Sequence, residues 1–131
     1  MSERNVELTY QAIDAVNRRD LGAFLDLMDE DVEVVSRIVA IEGGLHGHDG
    51  ARRWWESWFE AFPDYKIEIA EMRDLGELTL AAVRALGHAR GSEVPFEDKV
   101  WLASRFRGRK CVWWRVLSTR DEALRAVGLS E

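Results

Sequence analysis

The chain has 131 residues, of which 47% are hydrophobic, and it carries a net charge of −6 and a single cysteine, Cys111. These numbers predict one domain over residues 1–131 with a substantial core, and they disfavour a nucleic-acid binder, which is normally basic. No apolar run approaches the length that spans a bilayer, and the polar N-terminus does not resemble a secretory signal, so we expect a cytoplasmic protein without a membrane partner. One cysteine excludes an internal disulfide, and we expect Cys111 to be a small core residue.

The first third of the chain predicts two helices and a strand. Apolar residues at helical spacing predict a first helix over residues 3–19 and a second over residues 20–28, with Asp20 as its N-cap. The β-branched run VEVVSRIVAI then predicts a strand over residues 32–41. A glycine-rich turn follows, with a short strand at residues 45–46.

The stretch over residues 42–63, EGGLHGHDGARRWWESWFEAFP, predicts a third helix that begins near His48 and carries three of the six tryptophans. From residue 64 the apolar period changes to two, which predicts strands over residues 65–73, 78–90, 94–107 and 110–118. Their short turns predict an antiparallel meander. Thr119 then caps a tail helix that ends at Gly128.

This order of elements predicts an α+β fold, in which a curved antiparallel sheet packs on three helices from the N-terminal half. Long strands in so small a domain must bend, and a curved sheet backed by helices encloses a concave space. Such concave, mostly apolar spaces are where small ligands bind.

Three segments resemble one known group of proteins: DLGAFLDLMDEDVEV, GLHGHDGARRWW and TRDEALRAVGL. With the order of elements, they resemble the nuclear transport factor 2-like superfamily, in particular its SnoaL-like polyketide cyclase branch, which includes many small bacterial proteins of unassigned function. The resemblance implies a cone-shaped fold with a deep pocket and a homodimer formed through the outer face of the sheet. It does not select a reaction, because this fold hosts many functions.

Two catalytic sets of the superfamily do not carry over. In the steroid isomerases a base takes a proton, and a tyrosine and an acid donate to the oxyanion. These three positions fall at about Ser36, Ala12 and Leu102, and none of these residues can fill the role of the one it replaces. In the limonene-type epoxide hydrolases, an aspartate two residues after a tryptophan acts with a second aspartate and an arginine. That first aspartate is Val116 here, and the strand that would hold the other pair carries Arg84 and His88 without an aspartate.

Asp98 and His88 remain as candidate catalytic residues. The resemblance implies an acid–base aspartate in the pocket, and Asp98, or Glu42 at the glycine turn, could fill that role. Asp98 shares a strand face with Leu102; the alternative is a strand-end carboxylate in water. His88 is the best acid–base group by residue type, and the alternative is a solvated position at the rim.

The interior faces of the predicted strands supply the rest of the pocket. Its lining residues are predicted to be Val34, Ser36, Trp58, Arg84, Leu102, Trp114 and Val116. The histidines at 46 and 48 flank a glycine and should point in different directions, so they would not bind one metal ion together and we expect no metal site. We also expect no organic cofactor.

Trp101, Trp113 and Arg115 are predicted to face outward. Two tryptophans on an exposed sheet face favour a homodimer interface, unless neighbouring Arg and Lys stems cover them.

The predicted pocket and the predicted interface lead to two alternative functions. The first is a pocket that binds, and could transform by cofactor-free acid–base chemistry, a small hydrophobic or aromatic molecule. The alternative is a non-catalytic dimeric module that binds a protein.

Overall fold

The structure, a computed structural model, describes residues 2–35 and 45–128. Its elements are α1 (Ser2–Arg18), α2 (Leu21–Asp26), β1 (Met28–Val35), β2 (Leu45–His46), α3 (Gly47–Ala61), β3 (Lys66–Asp74), β4 (Leu78–His88), β5 (Pro95–Arg107), β6 (Lys110–Leu117) and α4 (Arg120–Ala126). Ser36 and Glu42 lie outside the described residues. Within the described residues, no helix is both long and apolar enough to cross a membrane.

A tight reversal separates the first two helices. Arg19 takes a positive φ of 62°, and the amides of Arg19 and Asp20 donate back to the carbonyls of Val16 and Ala15. This pattern closes the end of α1. The Asp20 side chain then accepts from the Ala23 amide and caps α2, as the sequence predicts.

The predicted extension of α2 to Met28 is wrong. Met28 begins β1, where it pairs with Cys111 of β6 and is only 1% exposed. The acidic residues that follow Met28 lie within β1, across a register shift between Met28 and Glu33. Tertiary pairing with β6 therefore overrides the local acidic composition.

The six strands form one curved, unclosed sheet in the order β2-β1-β6-β5-β4-β3. The last four strands form the predicted antiparallel meander. β1 and β6 pair in parallel, so the expectation of a wholly antiparallel sheet is wrong at this one pair. No hairpin joins these two strands, and their relative direction is therefore not fixed by a turn.

The first three helices cover the inner face of the sheet, and the main core lies between the two layers. Phe24 of α2 is at its centre, with ring centroids 5.6 Å from Trp54 and 5.1 Å from Trp114. Trp54 and Trp114 are themselves 5.7 Å apart with edge-to-face geometry. Such pairs add to the stabilisation that burial alone supplies.

The tail helix covers part of the opposite, outer face. Thr119 and Glu122 form a complete capping box at the start of α4, which confirms the predicted cap. Ala123 and Leu124 then pack against Leu80 and Ala103 of the sheet to form a second, smaller core. The sheet is therefore buried on both faces at this position.

α1 also closes the free edge of β3. The Asn17 amide donates to the Ile67 carbonyl and its oxygen accepts from the Ile67 amide, both at 2.8 Å. The Asn17 side chain thus makes the two hydrogen bonds that one residue of a neighbouring strand would make, and it fixes the start of β3 against α1.

Candidate functional site

Five inward-facing side chains gather where the end of α3 meets the starts of β3 and β5. They are Trp58, Phe62, Tyr65, Phe96 and Asp98, and we call them the aromatic–acid cluster. Trp58 and Phe62 lie one helical turn apart, with ring centroids 5.4 Å apart. Tyr65 stacks on Trp58 at 4.8 Å, and Phe96 stacks on Phe62 at 4.5 Å. The four rings form a continuous wall.

Asp98 is the charged member of the cluster. It pairs across the strands with Ala85, which is buried against the helices and pairs in turn with Ile67 of β3. Asp98 therefore lies on the inner face with Val100 and Leu102, at an intermediate degree of exposure. It is two residues from Phe96 on the same face, so the carboxylate adjoins the aromatic wall.

Tyr65 is a member of the cluster that the sequence analysis did not single out. The side chain is 3% exposed, and its burial, with a further contribution from the charge of Asp98, raises the pKa of the Tyr65 phenol. The phenol therefore stays protonated at neutral pH and can donate a hydrogen bond. The available sequence signal was its spacing of two from Ile67, since Tyr65 directly precedes β3 and both side chains are buried.

The interior also holds polar atoms without partners. Among the described residues, the indole nitrogens of Trp54, Trp58 and Trp114 and the hydroxyl of Ser104 are buried and make no hydrogen bond. An indole N–H can only donate. A buried donor without a partner is unfavourable, and each one in a folded protein calls for a specific explanation.

His88 lies at the end of β4, beside the cluster rather than within it. Its Nδ1 is 2.8 Å from Asp64 Oδ2, and its backbone amide donates to Asp64 Oδ1 at 2.7 Å. The side chains of His88 and Asp64 are 44% and 55% exposed. The hydrogen bonds from the His88 side chain and then its backbone lower the pKa of the Asp64 carboxyl.

Arg84 does not line the interior, and that prediction is wrong. Its guanidinium lies on the outer face, with Nε 2.9 Å from Glu97 and Nη1 3.3 Å from Glu68. The inner face of β4 is formed instead by Ala81, Val83 and Ala85. Both faces of this strand are apolar, because α4 covers Leu80 from outside, so alternation alone selected the wrong face.

The other predicted lining residues within the described part of the chain lie in the main core. Val34, Trp58, Leu102 and Trp114 are buried there, and Val116 packs against them. On β6 a register shift between Arg105 and Phe106 displaces Val112 from the inner row, which begins with Cys111 instead. Cys111 is buried, and burial raises the pKa of its thiol.

The outward-facing tryptophans are partly covered. Trp113 lies between two guanidinium groups, with Arg115 3.6 Å and Arg105 5.4 Å from its ring centroid. Arg115 also donates to Glu33 from Nε at 3.1 Å. Trp101 packs against the small core beneath α4. Homodimer formation through this face therefore stays a prediction.

The two largest of the open grooves found among the described residues lie outside the aromatic–acid cluster. A groove of about 750 Å³ includes Trp113, and its walls contain the ion pairs of Arg105 with Glu77 and of Arg115 with Glu33. A groove of about 660 Å³ lies at the end of β4 and is lined by His88, Asp64 and Lys66 among others. Neither contains a buried polar atom without a partner, so we place the candidate site at the aromatic–acid cluster.

The histidines near the start of α3 have structural contacts. His48 Nε2 is 2.9 Å from the Met28 carbonyl oxygen, and His46 is the N-cap residue of α3. Within the described ranges, no three His, Cys, Asp or Glu side chains are grouped so that they could hold a metal ion.

Comparison with known proteins identifies the fold. A family model described as a SnoaL-like domain matches residues 10–120. A nuclear transport factor 2-like protein of unknown function from Burkholderia pseudomallei superposes with a TM-score of 0.78 at 19% identity, covering 95% of this chain and 98% of that chain. No curated protein sequence matches.

Two further solved structures share the fold and hold small molecules. TerC, co-crystallised with polyporic acid, has a TM-score of 0.75 and 16% identity over 93% of this chain and 98% of that chain. A protein from Catenulispora acidiphila with a ketosteroid isomerase-like fold, in complex with trimethylamine, has a TM-score of 0.77 and 18% identity over 95% and 94%. Identities this low show the fold alone. The family model, however, spans most of the sequence, and the chain therefore belongs to the SnoaL-like domain family.

Proposed function

We propose that this protein binds a small hydrophobic or aromatic molecule in the cone, against the aromatic–acid cluster. The observation that carries the proposal is the position of Asp98, a half-buried acid on the inner face beside a wall of four aromatic rings. Apolar walls with a few polar groups are typical of ligand sites.

The polar atoms of the interior support a ligand with hydrogen-bond acceptors. Trp58 Nε1 is a buried donor without a partner in the described structure, and the Tyr65 phenol is a second donor in the same cluster. Asp98 is the acceptor. Donors on the aromatic wall and one carboxylate suit a neutral molecule that carries a carbonyl oxygen and an acidic proton.

The same groups could perform acid–base chemistry without a cofactor. Asp98 would take a proton from the carbon next to a ligand carbonyl. The electron pair of that C–H bond would form the C=C bond of an enolate, and the π pair of the carbonyl would move onto its oxygen. The protonated Tyr65 phenol would donate a hydrogen bond to the developing oxyanion. His88 is the other candidate base by residue type, and it lies at the rim with its Nδ1 against Asp64.

Ligand binding is tested by titrating the protein with polyporic acid, 1-naphthol and 2-tetralone while following tryptophan fluorescence. At least one probe should quench the tryptophan fluorescence. Asp98→Asn removes the charge but keeps the shape, and we expect it to weaken binding by about 10-fold or more, because hydrogen bonds to charged groups contribute about 1.5–3 kcal/mol.

Glu97→Gln is the matched control, because Glu97 is the neighbouring acid on the outer face, where it bonds to Arg84. It should leave affinity unchanged. A panel that produces no response, or equal losses in the two variants, would argue against the site. Exchange of the α-protons of 2-tetralone with deuterated solvent, followed by NMR, separates an enzyme from a binding protein.

The alternative is a dimeric protein-interaction module formed through the outer face. The observation in its favour is that Trp101 and Trp113 both face outward and remain partly exposed. Light scattering on the wild type and on Trp101→Arg/Trp113→Arg tests it. A monomeric wild type removes this alternative, whereas a double variant that splits a dimer and keeps probe binding would support the pocket as a separate function.

A further inference from the structure

We propose that His88 is a positioning residue. Its Nδ1 binds Asp64 and thereby holds the neighbouring Tyr65 in the cluster, and the ring exchanges no proton with a ligand. The effect of this positioning on ligand binding rests on the proposed function, in which Tyr65 is the donor beside Asp98. The structural basis of the positioning is independent of any ligand and lies in the contacts of Asp64, Gly87 and His88, which we call the Asp64–His88 junction.

The junction fastens the chain between α3 and β3 to the end of β4. Both carboxylate oxygens of Asp64 are engaged by His88, one by the backbone amide at 2.7 Å and the other by the ring Nδ1 at 2.8 Å. Two contacts from one residue fix the direction of a carboxylate as well as its position. Tyr65 is the next residue in the chain, so its backbone is fixed with it.

Gly87 brings the two segments into direct contact. A Cβ at this position would lie 2.9 Å from Asp64 Oδ1 and 3.3 Å from the Tyr65 Cα, and the residue has a φ of +154°. A side chain would force the Tyr65 backbone away from β4. The absence of a side chain at residue 87 is therefore a requirement of this packing.

Further contacts hold the same turn from the other side. Arg19 donates to the Pro63 carbonyl at 3.1 Å, and its guanidinium lies 4.3 Å from the Phe59 ring centroid. The Tyr65 amide donates to the Phe62 carbonyl at 3.0 Å. These contacts fix the turn, and the junction adds the connection to β4, whose strand pairs directly with the strand that carries Asp98.

The arrangement at the Asp64–His88 junction also assigns the two ring nitrogens of His88. Nδ1 is directed at a carboxylate, so in the neutral ring it carries the proton. A positioning role needs only that donor. A role as a base would need the other nitrogen, Nε2. The two roles therefore make different demands on a substitution at residue 88.

Two amide variants separate these roles. In His88→Asn the amide nitrogen falls near the place of Nδ1, so it can still donate to Asp64, whereas in His88→Gln the longer side chain carries its amide near the place of Nε2. The first readout is the indole N–H signal of Trp58 in a ¹H–¹⁵N correlation spectrum of the unliganded protein, assigned with Trp58→Phe. Trp58 reports on Tyr65 because their rings are stacked.

We expect His88→Asn to keep the wild-type Trp58 signal and probe affinity. His88→Gln should shift the Trp58 signal and weaken probe binding by about 2- to 10-fold, the range for loss of one ordinary hydrogen bond. Equal effects of the two variants, or losses that leave the Trp58 signal unmoved in both, would overturn the positioning role. If no probe binds the wild type, the proposed function fails while the indole signal still decides this inference.

A double-mutant cycle provides a second measurement. Asp64→Ala removes the junction from the other side and should shift the same Trp58 signal. Asp64→Ala removes both contacts of the carboxylate, including the ring contact that His88→Gln breaks, so the double variant should behave like Asp64→Ala alone. Additive shifts would show that His88 and Asp64 act separately, which contradicts the proposal. Thermal melting of each variant confirms that the comparison is made between folded proteins.

Discussion

The inner face of the sheet packs its aromatic rings against one another, whereas the outer face covers its rings with arginine stems and a short helix. Trp114 on the inner face contacts Phe24 and Trp54 and is 1% exposed. Its neighbour Trp113 points outward between two guanidinium groups and stays partly exposed. Adjacent residues of one type thus have different roles, and the difference comes from what the fold places on each side.

The two faces also treat charge differently. Outside, Arg84 meets Glu68 and Glu97, and Arg105 meets Glu77, so opposite charges neutralise each other in solvent. Inside, Asp98 lies beside four aromatic rings. The ligand site is proposed for this inner face, and the difference between the faces can be tested by substitutions that change one face at a time.

The largest expected effect is at Trp114. Trp114→Ala should lower the free energy of unfolding by about 3 to 5 kcal/mol, because it leaves a cavity among Phe24 and Trp54 that the core cannot fill. Trp113→Ala is the matched control and should lower it by about 1 kcal/mol, the contribution of an exposed cation–π contact. Urea unfolding measures both, and similar losses would mean that the two faces are not distinct.

The second test removes the cover from the outer face. Leu124→Ala should lower the free energy of unfolding by about 2 to 3 kcal/mol, since Leu124 is buried against Leu80 and Ala103. It should also make Trp101 easier to quench with acrylamide, because that ring packs on the same small core. Arg125→Ala, an exposed change on the same helix, should do neither. An unchanged Trp101 signal in Leu124→Ala would show that α4 does not protect this face.

A smaller effect is expected from Arg84→Ala. Both ion pairs of Arg84 are solvent-exposed, and exposed pairs contribute little to stability because water and salt screen them. The free energy of unfolding should therefore fall only slightly, and probe binding should be unaffected. A marked loss of probe binding would instead return Arg84 to the interior and reverse our assignment of the two faces of β4.

The smallest effect concerns pH. The pKa of Asp64 is lowered by the side-chain and then the backbone hydrogen bond from His88, so folding is favoured by its ionised form. This stabilisation is present above the ordinary carboxyl pKa and is lost as the pH falls through the lower folded value. Urea unfolding from about pH 7 to about pH 2 should show a shallower acid-side decline in Asp64→Asn than in the wild type. Glu56→Gln on α3 is the control, and an identical decline in Asp64→Asn would contradict the pairing.

Several elements could be predicted because their signals are local. The Asp20 and Thr119 caps, the aromatic helix and the four-strand meander follow from residue type and spacing over a few positions. The early start of β1 at Met28 could not, because it depends on pairing with Cys111, a residue far along the chain.

The site shows the same division. Asp98 was placed on the inner face from alternation along β5, which is regular from Pro95 to Arg105. Arg84 was misplaced because α4 makes the outer face of β4 apolar as well, and alternation cannot distinguish two buried faces. Tyr65 was missed because its importance depends on its contacts with Trp58, beside Asp98, which no local pattern reveals.

The sequence by itself determined the fold class and the helix caps, since these depend on short-range periodicity and backbone chemistry. The tertiary structure decided which face of β4 is interior, that β1 joins β6 in parallel, and that Asp64 and His88 meet across Gly87. Those features depend on contacts between distant segments. Such contacts depend on burial and strand pairing over the whole chain, so no single position of the sequence predicts them.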